Sequence, residues 1–257
     1  MTRLESILRK GDVIVIVPFI AATLLAWTWI LTMSVDMYGS MTGASAWAMR
    51  TQVSAEYVAL LLAMWSVMMA GMMLPSASPF LLLYAGVVRR SAEAAHTAVR
   101  VYLLALGYLL VWVAFSGVAT VGQLLMAKLW LVSPMMQLAN HRLSAAAIIV
   151  AGIYQFSPVK GRCLENCRSP VEHLTRHWSP GNTGAFRMGL RHGVECLGCC
   201  WALMLLLFAG GVMNAYVIGA LTLFVAIEKI TPMGVRAARI GGALLLIVGA
   251  WMAVWVV

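Results

Sequence analysis

Long apolar runs restrict what this chain can fold into more than any other feature of its sequence. A helix needs roughly 20 apolar residues to cross the hydrocarbon core of a bilayer. Short segments that carry most of the charge separate seven such runs, which are Val13–Met33, Tyr57–Val88, Val101–Leu125, Leu143–Phe156, Phe186–Ala209, Ala215–Ile227 and Ala238 to the last residue. The sequence therefore predicts an all-α, polytopic integral membrane protein with about seven transmembrane helices, forming a single transmembrane domain over residues 1–257.

The composition agrees with a chain that lies in lipid. Hydrophobic residues make up 62% of the sequence and charged residues 11%, whereas soluble domains carry about a quarter charged residues. The net charge of +9 does not indicate nucleic-acid binding, because the basic residues stand at the ends of the apolar runs, where they set topology. The first run is too long for a signal peptide, so we expect it to be retained as a span.

The distribution of basic residues predicts the orientation of the chain. With seven spans and a cytoplasmic N-terminus, fifteen of the 18 Lys and Arg residues fall on the cytoplasmic side, and Arg50, Lys128 and Arg142 fall outside. The polar segment of about residues 157–184, which carries cysteine and histidine, then becomes a cytoplasmic loop. Because the cytoplasm is reducing, its thiols are expected to be free or metal-bound rather than paired in disulfides.

All five cysteines lie within residues 163–200, and they predict a soft-metal site. Helical geometry places His192, Cys196, Cys199 and Cys200 within an arc of about 100°, so one helix face would carry an imidazole and three thiols. Cys163 and Cys167 precede this helix and could close the site. Thiolates and imidazoles bind copper and zinc. A single cysteine in a membrane helix would be read as packing, but five in one short stretch favour metal or redox use.

A methionine stripe in the second run is a candidate path for the metal. Its thioethers belong to Met64, Met68, Met69, Met72 and Met73. Thioethers are uncharged soft ligands that suit Cu(I), whereas the alternative is that these side chains only fill space in the core. Copper is therefore the expected metal, with zinc or another soft metal as the alternative. Met33, Met37 and Met41 would add thioethers on the outer side.

Other ionisable residues near the spans have simpler interpretations. Glu195 is a possible accessory ligand, although pairing with Arg191 or Arg187 is the competing explanation. Glu228 and Lys229 are expected to form an interfacial ion pair with each other. His173 and His177 are possible accessory ligands, but a solvated loop is the expectation for them.

Four motifs together resemble a known family. They are Met64-Trp-x-x-Met-Met-x-x-Met-Met-x-Pro-Ser76, Tyr154-Gln-x-x-Pro-x-Lys160, Cys163-Leu-x-x-Cys-Arg-Ser-Pro170 and His192-Gly-x-x-Cys-x-Gly-Cys-Cys-Trp201. This combination is similar to a bacterial family of uncharacterised integral membrane proteins described as predicted metal-binding, over about residues 57 to 230. The resemblance implies a multi-pass protein of the bacterial inner membrane. It also implies metal binding by Cys163, Cys167, His192, Cys196, Cys199 and Cys200.

These observations leave two main functional hypotheses. The first is a membrane-embedded copper-binding protein for metal handling or delivery, with the bilayer as its surroundings. The alternative is a non-catalytic or metal-carrying subunit of a larger membrane oxidoreductase or monooxygenase complex, whose partners would be other membrane subunits. A stand-alone thiol-redox or metal-dependent enzyme ranks third, because the sequence shows neither a Ser–His–Asp arrangement nor paired carboxylates.

Overall fold

The computed structural model describes residues 10–39, 41–43, 46, 54–91, 94–133 and 135–255. In this part of the chain the secondary structure is helical and contains no β-strand, which confirms the all-α prediction. The α-helices are α1 Lys10–Tyr38, α2 Ala55–Arg89, α3 Thr97–Lys128, α4 His141–Tyr154, α5 Pro158–Arg168, α6 Pro170–His177, α7 Gly181–Met204, α8 Leu206–Gly210, α9 Ala215–Ile230 and α10 Gly234–Trp255.

Several helices are long and apolar enough to cross a membrane. In the described residues five stretches meet this condition, and they are Ile16–Tyr38, Ala55–Arg89, Ala94–Lys128, Gly181–Gly210 and Gly234–Trp255. A sixth crossing results if α4 and α5, which meet at a 65° bend, are counted as one broken span. The predicted number of seven is not confirmed, because α4 has 14 residues and α9 has 16.

The orientation of the chain stays a prediction. Arg3, Arg9 and Arg50, which enter the charge comparison, lie outside the described residues, and only the backbone of Lys10 is described. The lengths of the helices do not distinguish the two sides of a membrane.

Helix α2 is the central element, and it remains helical through two prolines. A proline inside a helix leaves the carbonyl four residues earlier without its usual N–H donor. In α2 both of these carbonyls have other donors, since Trp27 Nε1 donates to the Gly71 oxygen at 3.1 Å and Ser78 Oγ donates to the Pro75 oxygen at 2.8 Å. The backbone is thus satisfied without water, and α2 extends over 35 residues, or about 52 Å. The helix is continuous through both prolines, as the prediction of an extended helix requires.

Helices α3 and α7 approach each other closely through glycines. A Cβ atom on Gly107 of α3 would collide with the Phe186 carbonyl, and one on Gly189 of α7 would collide with the Leu104 carbonyl. Small residues allow helix backbones to meet in this way inside membranes. The contact fixes the face of α7 that carries His192 and the cysteines against α2 and α3.

The polar segment 157–184 is more ordered than a loop. Ser157 caps α5 by accepting a hydrogen bond from the Val159 N–H at 3.2 Å, and Pro158 and Pro170 occupy the first turns of α5 and α6. Helix α5 packs against α7, and α6 packs against α2. Cys163 and Cys167 therefore project from one side of a helix, since they are separated by about one turn.

Candidate metal centre

Helix α7 buries the predicted ligand face. His192 is 5% exposed, Cys196 is 1% exposed, and Cys199 and Cys200 are completely buried. The Cys199 and Cys200 thiols donate to the Cys196 carbonyl oxygen at 3.1 Å and 2.8 Å. All five cysteines of the chain are free thiols.

Helix α5 brings the two remaining thiols to α7. The Cys167 thiol lies beside that of Cys199. Cys163 lies against Gly198, where a Cβ atom would stand 2.7 Å from the Cys163 sulfur. Glycine at position 198 is therefore what admits this sulfur to the surface of α7. Two separate elements thus supply thiols to one region, as the sequence predicted, although the binding of a metal there remains a prediction.

A buried ammonium group completes this thiol cluster, which we define as Cys167, Cys196, Cys199 and Cys200. Lys229 Nζ lies 2.8 Å from Cys196 Sγ and 4.0 Å from Cys200 Sγ, and Lys229 is 7% exposed. Tyr108 Oη is 3.0 Å from Cys196 Sγ on another side. A buried cation is stabilised by an anion beside it, and the Cys196 thiol that contacts the ammonium group becomes one by losing its proton.

The expected ion pair between Glu228 and Lys229 was wrong. Glu228 instead accepts hydrogen bonds from Lys160 Nζ at 2.8 Å and from Gln155 Nε2 at 3.0 Å. Adjacent residues of a helix point about 100° apart, so the two side chains reach different partners. The position of Lys229 directly after an apolar run was the signal that could have indicated its burial. The partner of Lys229, however, depends on how α9 packs.

His192 does not group with the thiols. The described residues contain one set of three or more His, Cys, Asp and Glu side chains whose ligand atoms all lie within 4.8 Å of one another, and it consists of His173, His192 and Glu195. His173 Nδ1 is 2.9 Å from Glu195 Oε2. The competing partner Arg191 is also present, with its Nε 3.6 Å from Glu195 Oε1.

His173 was expected to be solvated, and this expectation was wrong. It is 4% exposed, because α6 folds back over Phe80 and α7. His177, one turn further along α6, is half-buried with its ring centroid 5.2 Å from that of His173. Desolvation and then the Arg191 guanidinium lower the pKa of His177 below its usual value.

The methionine stripe lies in the centre of the helical bundle. Met64, Met68, Met69, Met72 and Met73 are all completely buried. The end of the stripe adjoins the thiol cluster, because Tyr108 Oη donates to the Met73 carbonyl at 3.2 Å and contacts Cys196 as well. Lys229 Nζ also lies 3.4 Å from Ser76 Oγ, one turn beyond.

The outer methionines divide into two groups. Met33 and Met37 of α1 are buried in the same core, whereas Met41 is 40% exposed. Burial of this kind agrees both with packing and with a metal path.

The chain can also be compared with known proteins. No curated protein and no solved structure matches it. The family model described as "PpoB2: Copper chaperone" matches residues 62–252, which include α7, α5, the methionine stripe and Lys229. This match confirms the expected metal-binding family and supports copper as the metal. The chain belongs to the PpoB2 copper chaperone family.

Proposed function

We propose that the protein is a membrane-embedded copper chaperone that carries Cu(I) as its cargo at the thiol cluster of Cys167, Cys196, Cys199 and Cys200. The observation that carries the proposal is that α5 and α7 bring Cys167 beside Cys199, with the ammonium group of Lys229 2.8 Å from Cys196 on the same face of α7. The site lies in the core of apolar helices, where a hydrated ion would not enter without such ligands.

The charges favour Cu(I) over Zn(II). A Cu(I) ion held by two thiolates carries one negative charge, which the single ammonium of Lys229 cancels. A Zn(II) ion held by four thiolates would leave one negative charge uncompensated in a region of low dielectric constant. Soft sulfur ligands select Cu(I) in any case. The two thiols of the cluster that do not bind the ion at a given moment are alternative ligands, to which the Cu(I) ion can transfer.

The methionine stripe suits the approach of the ion. Thioethers bind Cu(I) without adding charge, so an ion moving along α2 keeps soft ligands and never needs full hydration. The stripe ends at Met73, beside Tyr108 and Cys196. We propose that Cu(I) moves between the stripe and the thiol cluster at this point, and that a copper-requiring protein in or at the same membrane receives it.

Copper binding can be tested on the purified full-length chain. We expect it to withhold Cu(I) from a chromophoric Cu(I) chelator under anaerobic conditions, and we expect Cys196→Ser and Cys199→Ser each to weaken this competition at least tenfold. Ser144→Ala, a buried position on α4, is the matched control and should bind like the wild type. Equal Cu(I) affinity in the wild type and both cysteine variants would refute the proposed site.

A further inference from the structure

We propose that His173, His192 and Glu195 form a second metal site, separate from the thiol cluster, which binds a borderline divalent ion of the class of Zn(II), Co(II) and Cu(II). The proposal concerns different ligands and a different ion class from the copper cargo site. It therefore stands or falls independently of the proposed function.

The three side chains already converge. One ligand atom from each lies within 4.8 Å of the others, and the residues come from α6 and α7, which the chain folds together. Ligands bound to one such ion stand 2.0–2.2 Å from it and so roughly 3.4 Å from one another. Small side-chain rotations would close the group around an ion without moving either helix.

Two buried nitrogen atoms lack a partner. His173 Nε2 and His192 Nδ1 have no hydrogen-bond partner among the described residues, although both side chains are more than nine-tenths buried. A buried polar atom without a partner costs about 1–3 kcal/mol, so such atoms are few in folded proteins. A metal ion would be the missing partner of His192 Nδ1, whereas His173 already places its other nitrogen, Nδ1, beside the Glu195 carboxylate.

The surroundings hold the imidazoles and leave a route to them. Phe80 stacks on His192 with ring centroids 4.3 Å apart and meets the edge of His173 at 5.2 Å. An open cavity of about 160 Å³ borders His173, and Glu172, His177 and Arg191 also line it. An ion can thus reach His173 from the surface of α6, on a path distinct from the methionine stripe.

The donor set selects the class of ion. Two neutral imidazoles and one carboxylate suit Zn(II), Co(II) and Cu(II), whereas Cu(I) prefers sulfur. Arg191 opposes a cation here, but it is half exposed and lies 3.6 Å from the other carboxylate oxygen. The alternative explanation is that His173 and Glu195 form only an ion pair, which leaves His192 Nδ1 unexplained.

Cobalt distinguishes the two sites, because sulfur ligands give Co(II) an intense near-ultraviolet charge-transfer absorption that nitrogen and oxygen ligands do not. We would titrate the purified full-length chain with Co(II), with and without Cu(I), and compete it with Zn(II). In the Cu(I)-loaded chain, the expected result is one equivalent of bound Co(II) that lacks the sulfur band and that Zn(II) displaces. Glu195→Gln and His173→Asn should each weaken binding at least tenfold. His177→Ala, which removes the neighbouring imidazole, should leave it unchanged.

Three results would overturn this second site. They are absence of Co(II) binding by the Cu(I)-loaded wild type, a sulfur-to-cobalt band in that Cu(I)-loaded form, and unchanged Co(II) binding in Glu195→Gln. The last variant keeps the shape of the side chain, so it remains informative if His173→Asn fails to fold. Loss of Cu(I) binding in the cysteine variants bears on the cargo site alone.

Discussion

At the scale of single residues, Lys229 has the most specific role in the proposed chemistry. Its ammonium group stands 2.8 Å from the Cys196 sulfur inside the protein. Lys229→Met keeps a long side chain but removes the charge that balances a Cu(I)–dithiolate complex. We expect Cu(I) affinity to fall at least tenfold, or about 1.4 kcal/mol.

The comparison for Lys229→Met is Lys128→Met, which removes the same charge from the exposed end of α3. Competition with a Cu(I) chelator measures both variants, and circular dichroism checks that each remains helical. Unchanged affinity in Lys229→Met would show that the ammonium does not balance the charge of bound copper.

The methionine stripe gives a second prediction at this scale. Met68→Leu and Met72→Leu nearly conserve side-chain volume, so we expect each to change the free energy of unfolding by less than about 1.5 kcal/mol. If the thioethers carry the ion, the double variant should take up Cu(I) at least tenfold more slowly while its equilibrium affinity stays the same.

Stopped-flow measurement of Cu(I) uptake tests the effect of the stripe. The control is Met204→Leu, since Met204 is also buried but lies on α7. Equal uptake rates in the wild type, the double variant and the control would assign the stripe to packing.

At the scale of elements, the sequence was informative where a pattern repeats along one helix. The face formed by His192, Cys196, Cys199 and Cys200 follows from the helical period alone, and burial of that face agrees with it. The position of His173 was not predictable in the same way, because it depends on a short helix, α6, that folds back on Phe80.

Long-range partners were equally inaccessible to the sequence. The pairing of Lys160 with Glu228 spans 68 residues, and that of Lys229 with Cys196 spans 33. Nothing local in the sequence encodes either contact, since each depends on the way α9 packs between α5 and α2. Burial of Lys160 on α5 and of His173 on α6 was hidden for a related reason, because the composition of both helices is polar.

The contact between α3 and α7 leads to a prediction with an internal control. Gly107 and Gly117 both lie in α3. A Cβ atom at Gly107 would collide with the α7 backbone, whereas one at Gly117 would meet no described atom within 4 Å. Glycine costs a helix about 0.5–1 kcal/mol relative to alanine. Gly117→Ala should therefore be neutral or slightly stabilising.

Gly107→Ala should instead lower the melting temperature, because it forces α3 away from α7. It should also weaken Cu(I) binding, since Tyr108 would lose its position beside Cys196. Thermal unfolding in detergent and chelator competition measure the two effects. Equal melting temperatures for the two alanine variants would contradict the close approach of these helices.

At the scale of the whole molecule, the number of crossings depends on α9. Its 16 residues span about 24 Å, less than the roughly 30 Å of the hydrocarbon core. Its last turn is nevertheless surrounded by protein, since Glu228 and Lys229 are both buried against side chains of other helices. A helix covered by protein at one end need not match the full lipid thickness, so a short α9 is compatible with a crossing.

The distribution of basic residues also predicts that α9 crosses the membrane. Arg236 and Arg239 follow α9, whereas the turn Gly211–Asn214 before it carries no charge. The positive-inside rule then places residues 231–233 in the cytoplasm and the turn outside. Short epitopes inserted into each segment of the full-length chain, probed in intact and permeabilised cells, should be accessible on opposite sides. Accessibility of both epitopes on the same side would mean that α9 does not cross the membrane. The five longer helices alone would then determine where the thiol cluster lies relative to the membrane.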